Sequence, residues 1–375
     1  MGLTNIRLGD YIERSTINNK DLKYRVDLIV GVNSQGVFAT PKGNTDGVDL
    51  KPYKIVENGA FVYNPTRLEL GSIAYRTEGL CIVSHLYMVF YLTDEGKKII
   101  DPMWLYIYFR RSEFCREVKF RNFGSQRPEF NFNDMSDIVI PLPDIEIQKK
   151  YVDIYNAMLE NQKSYEYRLE DLKLACDAYI EDLKHGIHCK AIGPYVERHD
   201  VRNRTNEIKN VMGVSTSKEF REPTSKVNRN ELSNYKIVRS RQISFVQTTH
   251  NEKVFAYAFN NTEDDIVVTS VNEVFSVDED KLLPEYLCMF FNRTEFDRYA
   301  RFHSWGSARE TFTWDDLVKV EIPIADMKTQ KSIADIYKAY KERKAINEKL
   351  KEQIKDICPI LIKGSIEEAR KAKEA

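Results

Sequence analysis

From Gln148 to His185, apolar residues fall at Tyr151, Ile154, Met158, Tyr165, Leu169, Leu172, Cys176, Tyr179 and Leu183. Steps of three and four make a heptad, the pattern of a long helix packed along another. Asp144, just past Pro141 and Pro143, offers an N-cap, and Gly186 offers a stop. The same pattern returns near the end of the chain. Asp326 opens a helix whose Ile333, Ile336, Tyr340, Asn347, Leu350, Ile354, Ile357 and Leu361 share one face, and Gly364 closes it. Pro359 is expected to kink or shorten its last turns, and residues 365–375 read as a frayed tail. The core of the helix pair is expected at Ile154, Met158, Tyr165, Leu169 and Leu172, facing Ile336, Tyr340, Leu350 and Ile354.

Ahead of each heptad the pattern has a different period. IVENGAFVY, GSIAY and CIVSHLYMVFYL carry β-branched and aromatic residues between Gly, Asn and Pro, which predicts short strands joined by turns. A short helix follows in each half, around Met103–Phe114 and Glu285–Phe296, with Pro102 and Pro284 suited to the first turn.

The two halves are copies. Phe123–Tyr155 aligns without a gap to Trp305–Tyr337, 182 residues on, and 13 of 33 positions are identical. Tyr53-Lys-Ile-Val56 returns as Tyr235-Lys-Ile-Val238 in the same register, and Gly31-Val32 as Gly213-Val214. Tyr11-Ile-Glu-Arg14 corresponds to Tyr195-Val-Glu-Arg198 with a two-residue shift, and Val89-Phe90 to Val274-Phe275 with a three-residue one. Duplication with local drift accounts for the whole chain.

The order of parts sets the expected architecture. A seam about 57 Å long, at about 1.5 Å per residue, is costly to leave in water, so the long helices should pair with each other. Antiparallel pairing needs no long crossing loop, since domain two begins where the first helix ends and finishes where the second starts. The fold class is therefore α+β: two similar mixed α/β domains in pseudo-two-fold arrangement, separated by two long antiparallel coiled-coil helices. The boundaries fall at 1–147 for domain one, 148–185 for the first spacer helix, 186–329 for domain two, 330–364 for the second spacer helix and 365–375 for the tail. Two similar readers held at a fixed separation suit a split DNA site.

Composition narrows the class. The 375 residues carry 56 basic and 57 acidic side chains, a net charge of −1, which argues against indiscriminate DNA binding. Six scattered cysteines without a C-x-x-C pair suit a reducing compartment. No apolar signal core opens the chain and no apolar run approaches a membrane span, so a cytoplasmic location without membrane contact is expected. No phosphate-cradling loop, H-E-x-x-H or nucleophile elbow occurs. The acids beside Pro143 (Asp144 and Glu146) are explained by helix capping, and His185, His188 and Cys189 lack a fourth ligand, so neither a catalytic nor a metal site is assigned.

The doubled I-P-L-P-x-x-x-x-Q-like helix entry and the G-S-x-R loop ahead of it (Gly124–Arg127 and Gly306–Arg309) resemble the specificity subunit of type I restriction-modification enzymes. In the second entry Ala325 replaces the second Pro, and Thr329 stands before Gln330 where Glu is common. The resemblance implies a non-catalytic, DNA-binding, cytoplasmic subunit of a phage-defence system. Its two target-recognition domains would each read half of a bipartite double-stranded site. The helices would dock two methyltransferase subunits, joined by restriction/translocase subunits. It implies no cofactor on this chain; S-adenosylmethionine, ATP and Mg would sit in the partners.

Candidate contacts follow from residue chemistry. Arg110–Arg127 holds six basic residues against two acids, and Arg198–Arg241 eleven against five. A local positive face of this kind supports counterion release, although charge runs also serve as solvated surface. From these stretches Arg110, Arg121, Arg202, Arg204, Lys218, Arg221, Lys226 and Arg229 are assigned to DNA, together with Arg67. Ser125 and Arg127, and Ser307 and Arg309, would hold phosphate or else pair with a local acid. Asn33, Ser34 and Gln35 in half one, and Thr248, Thr249, His250 and Asn251 in half two, carry side chains able to bond base edges. The rival reading is a two-domain protein-binding scaffold without DNA recognition, its basic faces merely solvated.

Overall fold

The structure is a computed structural model. It describes residues 2–374 apart from 42, 44, 46, 123–128, 249–253 and 305–309. The chain divides into two compact units, residues 1–164 with 347–375, and residues 165–346. Each unit thus takes a segment of both long helices.

Domain one opens with β1 (Thr4–Arg7), β2 (Ile12–Ser15), β3 (Gly31–Val32), β4 (Phe38–Ala39) and β5 (Lys54–Val56). There follow β6 (Phe61–Tyr63), β7 (Ile73–Tyr75), β8 (Cys81–Val83) and β9 (Met88–Leu92). Helices α1 (Asp94–Ile99), α2 (Pro102–Phe109), α3 (Ser112–Arg121) and α4 (Phe132–Ser136) lead to β10 (Val139–Leu142) and the long α5 (Ile145–Gly186). Domain two repeats the strands as β11 (Cys189–Ala191), β12 (Val196–His199), β13 (Gly213–Val214), β14 (Phe220–Arg221) and β15 (Lys236–Val238). It continues with β16 (Ile243–Val246), β17 (Tyr257–Phe259), β18 (Ile266–Val268) and β19 (Asn272–Val277). Then come α6 (Pro284–Phe291), α7 (Thr294–Phe302), α8 (Trp314–Leu317), β20 (Glu321–Pro323) and the long α9 (Met327–Glu374).

Sheet topology repeats strand for strand. Each domain has a four-stranded antiparallel sheet, ordered β2-β9-β6-β7 and β12-β19-β16-β17. Each adds three two-stranded pairs: β1-β10, β3-β4 and β5-β8 in one, β11-β20, β13-β14 and β15-β18 in the other. The cores are aromatic. Phe61, Phe90, Phe109 and Phe114 are fully buried in domain one, and Phe245, Phe255, Phe275 and Phe291 line domain two. Such burial contributes about 1.5–3 kcal/mol per ring.

The single short helix expected in each half is two helices. In domain one the break falls at Arg110–Arg111, where the Arg111 guanidinium turns back to the Tyr108 carbonyl (3.0 Å) and over its ring. In domain two it falls at Asn292–Arg293, and Arg293 is held by Asp177, Glu181 and Glu295.

One buried glutamine joins each long helix to its domain. The Gln148 Oε1 accepts from the Asp101 N–H (2.8 Å), and its Nε2 donates to the Ile99 and Pro143 carbonyls (2.8 and 2.7 Å). Gln330 repeats the set with the Leu283 N–H and the Lys281 and Ala325 carbonyls (2.9, 2.9 and 2.8 Å). Thr329 completes a cap: its N–H and hydroxyl both donate to Asp326 (3.0 and 2.8 Å). The departure from Glu at that position costs the helix no partner.

In each unit the helix segments run antiparallel. Tyr151 bonds Glu368 (3.1 Å) and Gln162 bonds Asn347 (3.0 Å), so advancing along α5 retreats along α9. In the other unit Arg343 stacks on Tyr165, while Cys176 shares a wall with Tyr337 and Tyr340. The expected seam needs a shift of one residue in places. Ile154 (43% exposed) and Tyr179 (51%) face outward, and Tyr155 and Ile180 are buried instead. A period of 3.6 drifts off a strict heptad, and the inward stripe drifts with it. Met158, Tyr165, Leu169, Leu172, Ile336, Tyr340 and Leu350 are half-buried, and Ile354 is buried.

The last helix does not stop at Gly364. It continues through Pro359 and Gly364 to Glu374, so residues 365–374 are helical, with Ser365 and Ala369 buried. The Ser365 hydroxyl accepts from the Trp104 indole (3.1 Å), which ties this turn to domain one. At Gly364 a Cβ would come within 2.8 Å of the Tyr151 ring. Glycine here permits close helix approach, not termination.

Candidate nucleic-acid interface

A small hairpin stands at the same place in each domain, and its tip carries polar side chains that differ between the two. In domain one β3 and β4 pair through Val32 and Phe38. The Asn33 N–H donates to the Val37 carbonyl and the Gly36 N–H to the Asn33 carbonyl, both at 3.1 Å. The Asn33 Oδ1 also accepts from the Gln35 and Val37 N–H groups (2.9 and 3.2 Å). That oxygen builds the turn and leaves Ser34 and Gln35 as the exposed side chains. In domain two Ser215 takes over the turn: its N–H and its hydroxyl both reach the Glu219 carbonyl (3.0 and 2.8 Å). Ser215-Thr216-Ser217 is thus the counterpart of Asn33-Ser34-Gln35. The sequence reading passed over it, though the 182-residue register of the neighbouring Gly-Val pair points straight to it.

The turn is held from behind by one cation, supplied from opposite sides in the two domains. In domain one Arg110, at the end of α2, donates to the Gly71 carbonyl (2.5 Å) and the Ser34 carbonyl (3.3 Å). Gly36 has φ +76°, and a Cβ there would lie 2.6 Å from the Arg110 guanidinium. In domain two Lys218 occupies the Gly36 position with φ +64° and points back at the helix break. Its ammonium donates to the Phe291 carbonyl (2.6 Å) and pairs with Asp297 (2.9 Å). Lys218 is buried, and burial pulls its pKa below the usual lysine value. This corrects its assignment as a DNA contact: the charge is spent inside the domain. Arg110 is likewise engaged on backbone carbonyls, and positions the tip from within.

Beside the domain-one hairpin lies a groove of about 410 Å³, lined by Asn33, Ser34, Tyr53, Arg67, Ser72 and Tyr87 among others. The Ser72 hydroxyl donates to the Val32 carbonyl (2.8 Å), and the Tyr87 hydroxyl accepts from the Val32 N–H (3.2 Å), so the hairpin forms a fixed wall. Arg67 is exposed at the turn after β6. Three residues assigned to DNA thus share one recess, with aromatic and hydroxyl groups that sequence reasoning missed. Side chains of this kind suit phosphate and base-edge contact.

The other candidates are dispersed. Arg121 folds onto Glu117 (2.8 Å). Arg202 binds Asp200 (2.7 Å) and the Asn234 carbonyl (2.8 Å), and Arg229 faces Glu222 (3.8 Å). Arg204, Arg221 and Lys226 are exposed and form no ion pair among the described residues. Thr248 bridges to Thr311. Ser125, Arg127, Thr249, His250, Asn251, Ser307 and Arg309 lie outside the described residues, and with them both G-S-x-R loops. Phe120 and Phe302, 182 apart, stand 81% and 80% exposed at the ends of α3 and α7. They present an aromatic face at the same point of each domain.

A family model described as the type I restriction modification DNA specificity domain matches residues 5–170 and again 192–356. The chain belongs to this family. It is a specificity subunit with two copies of the DNA specificity domain. The S subunit of a type I restriction-modification system from M. genitalium superposes with a TM-score of 0.60 at 11% identity, covering 97% of this chain and 96% of that one. At that identity the likeness is one of fold. The HsdS subunit from Thermoanaerobacter tengcongensis (15% identity, TM-score 0.40, 97% and 96% covered) is also similar. So is a chain from work on complex assembly and conformational transition of the type I R-M system (14%, 0.48, 97% and 97%). At those scores they add nothing to the argument. No curated protein matches the sequence. Among the described residues no helix is long and apolar enough to cross a membrane.

Proposed function

We propose that each domain of this specificity subunit reads one half of a bipartite duplex target, through its β3–β4 or β13–β14 hairpin and the surface around it. The observation that carries this reading is the doubled hairpin, in which the same backbone turn presents Ser34 and Gln35 in one domain and Thr216 and Ser217 in the other. A shared scaffold with different tips is what two unlike half-sites require. The long helices would dock two methyltransferase subunits, with restriction/translocase subunits joining the complex. Methyl transfer from S-adenosylmethionine, and cleavage with ATP and Mg, would belong to those partners. A scaffold that ignores DNA is not favoured, since both halves match a DNA specificity domain.

The test is duplex binding by the full chain in a salt series. The proposal expects log affinity to fall linearly and steeply with log salt, with one sequence recovered preferentially from a randomised duplex pool. Association with protein alone, insensitive to salt, would overturn it.

A further inference from the structure

Domain two contains a closed ionic network that domain one holds open. On β12 and β15, Arg198 and Lys236 share the buried Glu273: Arg198 grips it with two bonds (2.9 and 2.6 Å) and Lys236 lies 3.4 Å away. Gln247 also donates to Glu273, while Asp200 lies 3.5 Å from Lys236 and 2.7 Å from Arg202. Glu273, Asp200 and Asp315 all act on the Arg198 charge.

The pairing of strands fixes the counterparts in domain one. Arg14 opposes Phe90 as Arg198 opposes Phe275, and Lys54 bridges Asn18 as Lys236 bridges Arg202. Both cations are therefore present. Every acid is gone: Met88 stands opposite Tyr63 where Glu273 stands opposite Phe245, and Thr16 and Asn133 replace Asp200 and Asp315. Asp134, which has its equal in Asp316, is committed to the capping box of α4. Among the described residues Arg14 makes no hydrogen bond or ion pair, and it is exposed. The Lys54 ammonium donates to the Tyr87 carbonyl (2.6 Å), on the residue whose ring lines the groove. Burial and then the repulsion of Arg14 draw its proton affinity down. The Tyr63 hydroxyl, within reach of the Arg14 charge, is buried without a partner among the described residues, where domain two has the hydroxyl-free Phe245.

We propose that Arg14 and Lys54 form a backbone-phosphate site for duplex DNA, present in domain one and closed by its own acids in domain two. This rests on the DNA-reading assignment above and makes the grip of the two domains unequal. An anion supplied from outside takes the place that Glu273 fills in the other copy.

The test uses the full chain and a labelled 40-base-pair duplex of random sequence, because loss of a phosphate contact weakens binding uniformly across sequences. Arg14→Ala should lower affinity several-fold and reduce the salt slope by about 1. Met88→Glu, which installs the acid of domain two, should do the same or more, while Met88→Gln should bind as the parent does. Unchanged affinity and slope for both Arg14→Ala and Met88→Glu would overturn the site. An equal loss with Met88→Gln would also overturn it, since size and not charge would then matter. Failure of the parent chain to bind duplex at any salt would instead defeat the DNA-reading assignment itself.

Discussion

Gln148 and Gln330 show how much a single side chain settles. Each is fully buried at the first turn of a long helix, and each satisfies one N–H and one carbonyl of the chain leading into a short domain helix, and one carbonyl just ahead of its own helix. Gln148→Ala leaves these groups without partners in a dry site, at about 1–3 kcal/mol for each buried group left unsatisfied. The expected outcome is a loss of at least about 2 kcal/mol in urea unfolding, with Gln330→Ala doing the same in domain two; a change under about 0.5 kcal/mol would contradict it. The glutamines were visible in the sequence as the repeated Q of the helix entry. Their distant partners were not, because Ile99 and Asp101, like Lys281 and Leu283, lie nearly fifty residues away.

Alkaline pH tests the same interior. Burial raises the pKa of Tyr63, Tyr155, Tyr257, Tyr286 and Tyr337, and pushes Cys176 and Cys358 up to about 11. All these groups hold their protons more tightly folded than unfolded. The folded state therefore binds more protons than the unfolded chain above about pH 9, and stability falls as pH rises through that range. Melting temperature should be flat from neutral pH to about 9 and drop steeply beyond 10. A flat profile to pH 11 would mean that the interior is wet.

Elements were legible where a run was long or its punctuation clear. Both heptads follow from spacing and the strand runs from β-branched and aromatic residues between turn formers, and the structure has a helix or strand at each, with Asp326 just ahead of α9. What spacing hid were the positions where one residue type serves two purposes. Gly364 reads as a stop but sits in mid-helix, because Tyr151 needs the room. Gly364→Val should therefore destabilise by about 1–3 kcal/mol, through overpacking against Tyr151, where a helix end would tolerate it. Calorimetry distinguishes the two. Lys218 reads as a surface cation, yet its position demands a left-handed backbone and its charge lies inside.

The exchanged latch makes an element-scale prediction. Arg110→Asn should loosen the β3–β4 hairpin and speed amide exchange at Val37 and Gly36, whose N–H groups close the turn. Adding Gly36→Lys and Cys115→Asp rebuilds the arrangement of domain two, where Lys218 meets Asp297. The triple variant should recover slow exchange, although the Gly36→Lys change alone drives a Cβ into Arg110. If the triple variant exchanges as fast as Arg110→Asn, the two latches are not equivalent.

At the scale of the whole molecule, the duplication is the most legible feature and the chemistry the least. Every strand pair of one domain has its partner in the other, because register depends on alternation that a repeat preserves. The contact residues were poorly legible because charge says nothing of engagement. Arg121, Arg202 and Lys218 all bind groups within their own domain, and Arg14, which no basic run advertised, has no ion pair among the described residues. The doubled match to a DNA specificity domain means that each half should carry its own share of the target.

The most direct measurement is selection from a randomised duplex pool by the full chain, beside a chimera in which residues 186–329 come from another member of the family. Independent reading by the two domains requires the recovered sequence to change in one half and stay the same in the other. A change in both halves, or in neither, would contradict it.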